Sequence, residues 1–170
     1  MEKHPIQLAN GHSYVIREIR PDDKQGLSEG LQRLSPQSVY RRFLSPKPCF
    51  TKGELRYLTE VDRHDHYALV VVPMHRPDII VGAARFVRLR EDPEAAEVAI
   101  VIGDPLHGLG LGKRLAQLLG DAAVERGIRR FTADIQSQNT PALKLMRTLA
   151  ERVVEAPNGS LTHLESELAA

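Results

Sequence analysis

Three alternating glycines, Gly108, Gly110 and Gly112, lie between an apolar run and a long amphipathic helical pattern. Glycine lets the backbone turn tightly and approach a ligand closely. A helix that begins directly after such a turn presents unpaired N–H groups and the positive end of its dipole. This combination suits a diphosphate, so the sequence predicts an anion-binding loop that leads into a helix.

Two familiar diphosphate-binding motifs do not fit this loop. A P-loop needs Gly-x-x-x-x-Gly-Lys-Ser/Thr, but His107 occupies the first glycine position and no hydroxyl residue follows Lys113. A dinucleotide fingerprint, Gly-x-Gly-x-x-Gly, that began at Gly110 would place its third glycine at Leu115. Both motifs are therefore weak interpretations of this loop, and a glycine-rich turn without a ligand is the alternative.

Composition restricts the class of protein. The chain has 170 residues and a mass of 19.0 kDa, which predicts one domain over residues 1–170. Its 23 basic and 22 acidic residues leave a net charge of +1, so no overall field favours nucleic acid or a membrane surface as partner. No apolar run suits a signal peptide or a membrane span, and we expect a cytoplasmic protein.

The apolar periodicity predicts strands and helices in the order β-α-α-α-β-β-β-α-β-α-β-β. The predicted strands are residues 14–19, 67–72, 79–87, 96–102 and 131–135, with a terminal hairpin of 152–156 and 161–167 about Asn158-Gly159. Five helices are predicted. The first ends near residue 33, the second covers 36–43, and the third follows a cap at Thr51. The fourth runs from 111 towards Gly127, and the fifth covers 140–149. This order implies a mixed sheet between two layers of helices, an α/β fold or α+β by a stricter label.

Residues 96–115 closely resemble motif A of the GNAT N-acetyltransferases, (Gln/Arg)-x-x-Gly-x-(Gly/Ala) between a strand and a helix. Gly110 and Gly112 match the two small-residue positions, whereas His107 stands where Gln or Arg is usual. Backbone amides bind the cofactor in that family, so the His107 departure leaves the expectation intact.

A second run, residues 139–146, resembles the family's Asn-x-x-Ala-x-x-Leu-Tyr pattern. Asn139 and Ala142 match, and Met146 replaces the tyrosine. Residues 16–23 and 34–43 are similar to the GNAT domain of bacterial protein-lysine acetyltransferases of the Pat type.

The resemblance implies a GNAT fold, with a mixed, mostly antiparallel central sheet and helices on both faces. It implies acetyl-CoA as cosubstrate, no metal, and an amine acceptor that is either a protein lysine or a small molecule. The state of assembly is left open between monomer and homodimer. The implied acetyl-CoA contacts are Ile100, Val101, Ile102, His107, Gly108, Leu109, Gly110, Leu111, Gly112, Lys113 and Asn139.

Glu97 is the predicted catalytic residue. It begins the strand that leads to the glycine loop, and the resemblance implies that it is a general base, acting directly or through water. We expect this strand to separate from residues 131–135 to admit the thioester, with the Glu97 carboxylate partly desolvated there. Met146 cannot donate a proton, and Tyr40 is a conceivable acid that we expect to pack instead.

Two alternatives compete with these interpretations. An acyl-CoA sensor that binds without turnover is compatible with the replaced tyrosine. His64 and His66 could suggest a metal site, but no distant partner supports one, and we expect both in a solvated loop.

Overall fold

Eight strands form one sheet in the computed structural model, which describes residues 2–169. Their order across the sheet is β1-β2-β3-β4-β5-β6-β8-β7, and every neighbouring pair is antiparallel except the parallel pair β5 and β6. The predicted mixed, mostly antiparallel sheet is confirmed. The strands are β1 (Lys3–Gln7), β2 (Ser13–Glu18), β3 (His66–Pro73), β4 (Gly82–Arg88), β5 (Ala95–Ile102), β6 (Arg130–Gln136), β7 (Ala150–Asn158) and β8 (Leu161–Leu168).

Five helices connect these strands, and the predicted Thr51 cap is confirmed. The Ser35 hydroxyl accepts a hydrogen bond from the Ser38 amide, and Thr51 and Glu54 form a reciprocal capping box. The helices are α1 (Lys24–Arg33), α2 (Pro36–Phe43), α3 (Lys52–Thr59), α4 (Leu111–Glu125) and α5 (Thr140–Thr148).

The sheet buries an apolar core on each of its two faces because successive strand side chains point to opposite sides. On one face, α1 and α3 cover residues that include Ile19, Leu27 and Val70. On the other face, α4 and α5 cover a larger core around Phe86 and Phe131. Helices therefore lie on both faces, as predicted.

Three local details differ from the predictions. Strand β1 was not predicted, because it is short and half-exposed and contains Pro5. It lies at the edge of the sheet, where a proline is tolerated. Strand β4 begins at Gly82 rather than at Ile79. The terminal hairpin turns through Gly159 and Ser160, one residue later than predicted, and Gly159 takes a φ of 63°. No helix within residues 2–169 is long and apolar enough to cross a membrane.

Candidate active site

The parallel strands β5 and β6 separate along their length. They pair only at their first residues, where Ala95 lies beside Arg130, Ala96 beside Phe131 and Glu97 beside Thr132. Beyond these pairs the strands diverge and enclose a cleft of about 470 Å³. The predicted separation of the two strands is confirmed, and it leaves the edge of β5 open from residue 98 onward.

Most of the predicted acetyl-CoA contacts meet in this cleft. Leu109 is the exception, since its side chain packs against the core instead. Asn139 lies at the start of α5, where its side-chain oxygen accepts a hydrogen bond from the Ala142 amide at 3.4 Å. The predicted residues that line the cleft are Ile100, Val101, Ile102, His107, Gly108, Gly110, Leu111, Gly112, Lys113 and Asn139.

The glycine loop leaves the first amides of α4 available for a ligand. Gly108 and Gly110 have φ values of 76° and 83°, which residues other than glycine rarely adopt. The first hydrogen bond of the helix runs from the Arg114 amide to the Gly110 carbonyl. Within residues 2–169, the amides of residues 111–113 have no acceptor, as expected for the start of a helix.

Gly112 affects the cleft for a different reason. It is helical, and a Cβ there would lie 3.1 Å from Cδ1 of Ile102 and 3.5 Å from Cδ2 of Leu145. Both atoms belong to residues that line the cleft. A side chain at this position would therefore crowd the cleft wall, whereas one at Gly110 would strain the turn.

His107 orders the loop through its side chain. Its Nε2 atom lies 2.8 Å from the Ile102 carbonyl oxygen, a hydrogen bond that closes the chain between β5 and the glycines. The histidine side chain is exposed and lines the cleft.

Asp104 joins this loop to α2. Its carboxylate accepts hydrogen bonds from the Ser35 amide at 3.0 Å, the Ser35 hydroxyl at 2.7 Å and the Ser38 hydroxyl at 2.8 Å. Burial by itself would raise the pKa of Asp104, but these hydrogen bonds outweigh it and lower the pKa to about 2. One ionised side chain thus fixes α2 relative to the glycine loop.

Glu97 lies at the point where the strands part. It is the last β5 residue paired with β6, and its neighbour Val98 is the first that lines the cleft. Its side chain is exposed, so the predicted partial desolvation is wrong.

Sequence reasoning missed the contribution of α2 to the cleft. Ser38, Arg41 and Arg42 line it, and nothing in the local sequence separates these arginines from the solvated end of a helix. Tyr40 does not pack as predicted: it is 44% exposed. It lines a smaller polar pocket of about 260 Å³ with Gln37, Arg41, Gln136, Gln138 and Asn139.

The two histidines of the 62–66 segment have different surroundings. His64 is exposed, as predicted. His66 begins β3 and is only 8% exposed, so its predicted solvation is wrong. Its Nε2 atom lies 2.9 Å from Nη1 of Arg85, a buried arginine of β4. Within residues 2–169, no group of three or more His, Cys, Asp and Glu side chains has the arrangement of a metal site.

Comparison with known proteins identifies the class. The model of the acetyltransferase (GNAT) family matches residues 37–150. The chain is 35% identical to acetyltransferase Pat of Mycolicibacterium smegmatis over 145 residues, which are 85% of this chain and 43% of that protein. The chain therefore belongs to the GNAT acetyltransferase family, and it spans less than half the length of the Pat relative.

Solved structures share the fold. The GNAT domain of S. lividans PAT superposes with a TM-score of 0.86 at 24% identity, covering 98% of this chain and 97% of that one. The yncA protein of Salmonella typhimurium, solved with its cofactor acetyl-CoA, superposes with a TM-score of 0.72 at 20% identity, covering 92% and 94% of the two chains. At these identities the likeness establishes the architecture.

Proposed function

We propose that residues 1–170 form one acetyl-CoA-dependent N-acetyltransferase domain that transfers an acetyl group to an amine. The observation that carries this proposal is the parting of β5 and β6 beside the free amides of α4. Acetyl-CoA is also the cofactor in the yncA structure, which has the same fold.

The residues of the cleft fit the parts of acetyl-CoA. The amides of residues 111–113, together with the dipole of α4, suit its diphosphate. Lys113 adds a nearby positive charge. The open edge of β5 from Val98 to Ile102 offers backbone groups to the amides of the pantetheine arm, and Asn139 lines the opposite side.

The acceptor amine must lose a proton during the reaction. With a pKa of about 10.4, a lysine amine is only about 0.1% neutral at pH 7.4, a handicap of roughly 4 kcal/mol. Glu97 lies where the strands part, and there its carboxylate takes the proton from the acceptor, directly or through water. Acetyl-CoA supplies the acetyl group as a thioester.

The transfer forms one bond to the acetyl carbon and breaks another. Once neutral, the acceptor nitrogen forms a bond to the acetyl carbon, the carbon–sulfur bond breaks, and the second proton that the nitrogen loses passes through water to the thiolate that leaves. Water has this role because Met146, which lines the cleft at the family's tyrosine position, has no proton to donate. The acceptor is a protein lysine or a small amine.

A second candidate is an acyl-CoA-binding module without turnover, and Met146 is the observation that favours it. Release of thiol from acetyl-CoA over a panel of small amines and lysine peptides separates the two. The proposal predicts amine-dependent release in the wild type and none in Gly110→Val, whose loop is strained. Saturable acetyl-CoA binding without amine-dependent release would establish the sensor instead.

A further inference from the structure

Two arginines lie together on the Glu97 side of the sheet. Arg42 projects from α2 and lines the cleft. Arg85 lies on β4 and is 8% exposed. Its pairing with Ala99 of β5 places it on the same sheet face as Glu97, which pairs with Val87.

Neither guanidinium has a carboxylate partner. Within residues 2–169, no acidic oxygen lies within 4.0 Å of Arg42 or Arg85. Arg42 lies over the Phe43 ring, 4.8 Å from its centroid, a contact that leaves the charge unneutralised. Arg85 donates to His66 at 2.9 Å and to the Leu58 carbonyl at 3.4 Å.

The charges at this end of the cleft do not balance. Burial and then the nearby Arg42 lower the pKa of Arg85 to about 10, so it stays charged at pH 7. Burial lowers the pKa of Arg42 as well, and Glu97 opposes this effect. Burial and Arg85 lower the pKa of His66 to about 4, so that imidazole is neutral. Arg42 therefore lies between the carboxylate of Glu97 and a second guanidinium, Arg85, so the positive charge here exceeds the negative charge. A buried positive charge without a partner is unfavourable.

The positive charge of Arg42 and Arg85 is distant from the glycine loop, which is the proposed site of the diphosphate. Arg42 is near Glu97, which lies five residues before Ile102, where the chain leaves β5 for the loop, and Arg85 is near Arg42. At about 3.3 Å per strand residue, the separation along β5 is roughly 17 Å. Arg42 is therefore placed for the acceptor and not for the diphosphate.

We propose that the acceptor is a small amino carboxylate, such as a free amino acid, whose amine faces Glu97 and whose carboxylate binds the Arg42 guanidinium. Arg85 is a positioning residue that adds positive charge behind Arg42. A guanidinium fork matches a carboxylate with two parallel hydrogen bonds. This inference rests on the proposed function, since it names the acceptor for the same site.

The test compares acids with their amides. Leucine, phenylalanine, glutamine and lysine, each against its primary amide, are titrated by calorimetry into the protein saturated with CoA. At least one acid is expected to bind about 10-fold or more tightly than its amide. Arg42→Gln reduces binding of that acid by about 10–100-fold and leaves its amide unchanged. Arg42→Lys retains part of the preference, because a lysine keeps the charge without the fork.

A matched control removes the same charge elsewhere. Arg129→Gln changes an exposed arginine in the loop before β6 and is expected to preserve the preference for the acid. Equal binding of every acid and its amide overturns the proposal, and so does an equal effect of Arg42→Gln on both.

Thiol release measured on the same samples tests the proposed acetyltransferase activity separately from the proposed recognition of a carboxylate. Acetylation of neutral amines with no preference for acids leaves the acetyltransferase standing and refutes carboxylate recognition. Binding of acids over amides without any thiol release refutes turnover and retains the recognition site.

Discussion

Replacing Asp104 by asparagine removes the charge that joins α2 to the glycine loop. The pKa of Asp104 falls from its ordinary value of 3.8 to about 2 in the folded chain. At 1.36 kcal/mol per pKa unit, this difference corresponds to about 2.4 kcal/mol of stability. Because the carboxylate keeps part of its solvation, we take a loss of about 1–2 kcal/mol for Asp104→Asn at pH 7.

The effect has a defined dependence on pH. A carboxylate with a lowered folded pKa stabilises the protein above its unfolded pKa, and this stabilisation disappears as the pH falls through the folded pKa. The wild-type advantage over Asp104→Asn is therefore constant above about pH 4 and shrinks between pH 4 and 2. Urea unfolding at several pH values measures it.

Asp121→Asn is the control, because Asp121 is exposed on α4 and has no hydrogen-bond or ion-pair partner within residues 2–169. It should leave the unfolding free energy unchanged. A deficit of Asp104→Asn that stays the same from pH 7 down to pH 2.5 would refute the reasoning. We also expect the kcat/KM for the acceptor to fall roughly tenfold, since α2 loses its anchor.

Two further predictions concern acetyl-CoA binding. Gly110→Val should abolish binding in calorimetry while the chain still folds, because a β-branched residue cannot adopt a φ of 83° without strain; wild-type affinity would contradict the loop assignment. Asn139→Ala should lower stability by about 0.5–2 kcal/mol through loss of the α5 cap and should also raise the KM for acetyl-CoA. A lower melting temperature with an unchanged KM would restrict Asn139 to capping.

The sequence predicted the elements around the cleft because their signals are local. The Thr51 cap and the glycines both act within a few residues of the boundary that they set. The open edge of β5 was expected from family resemblance, and the register of the two strands confirmed it.

The remaining features depend on contacts between distant residues. Asp104 and Ser35 are 69 residues apart, and Arg85 meets His66 across a strand pair. No periodicity reveals such partners. The exposure of Tyr40 and Glu97 depends on where helices end over the sheet, which apolar patterns do not specify.

The central claim is that Glu97 removes the proton from an amine as it takes the acetyl group. Single-turnover thiol release tests it most directly, with wild-type and Glu97→Gln proteins saturated with acetyl-CoA and acceptor. Glutamine keeps the size but not the basicity, so we predict a rate lower by roughly 10²–10³ with an unchanged Kd for acetyl-CoA. A Glu97→Gln protein that releases thiol at the wild-type rate would contradict the account.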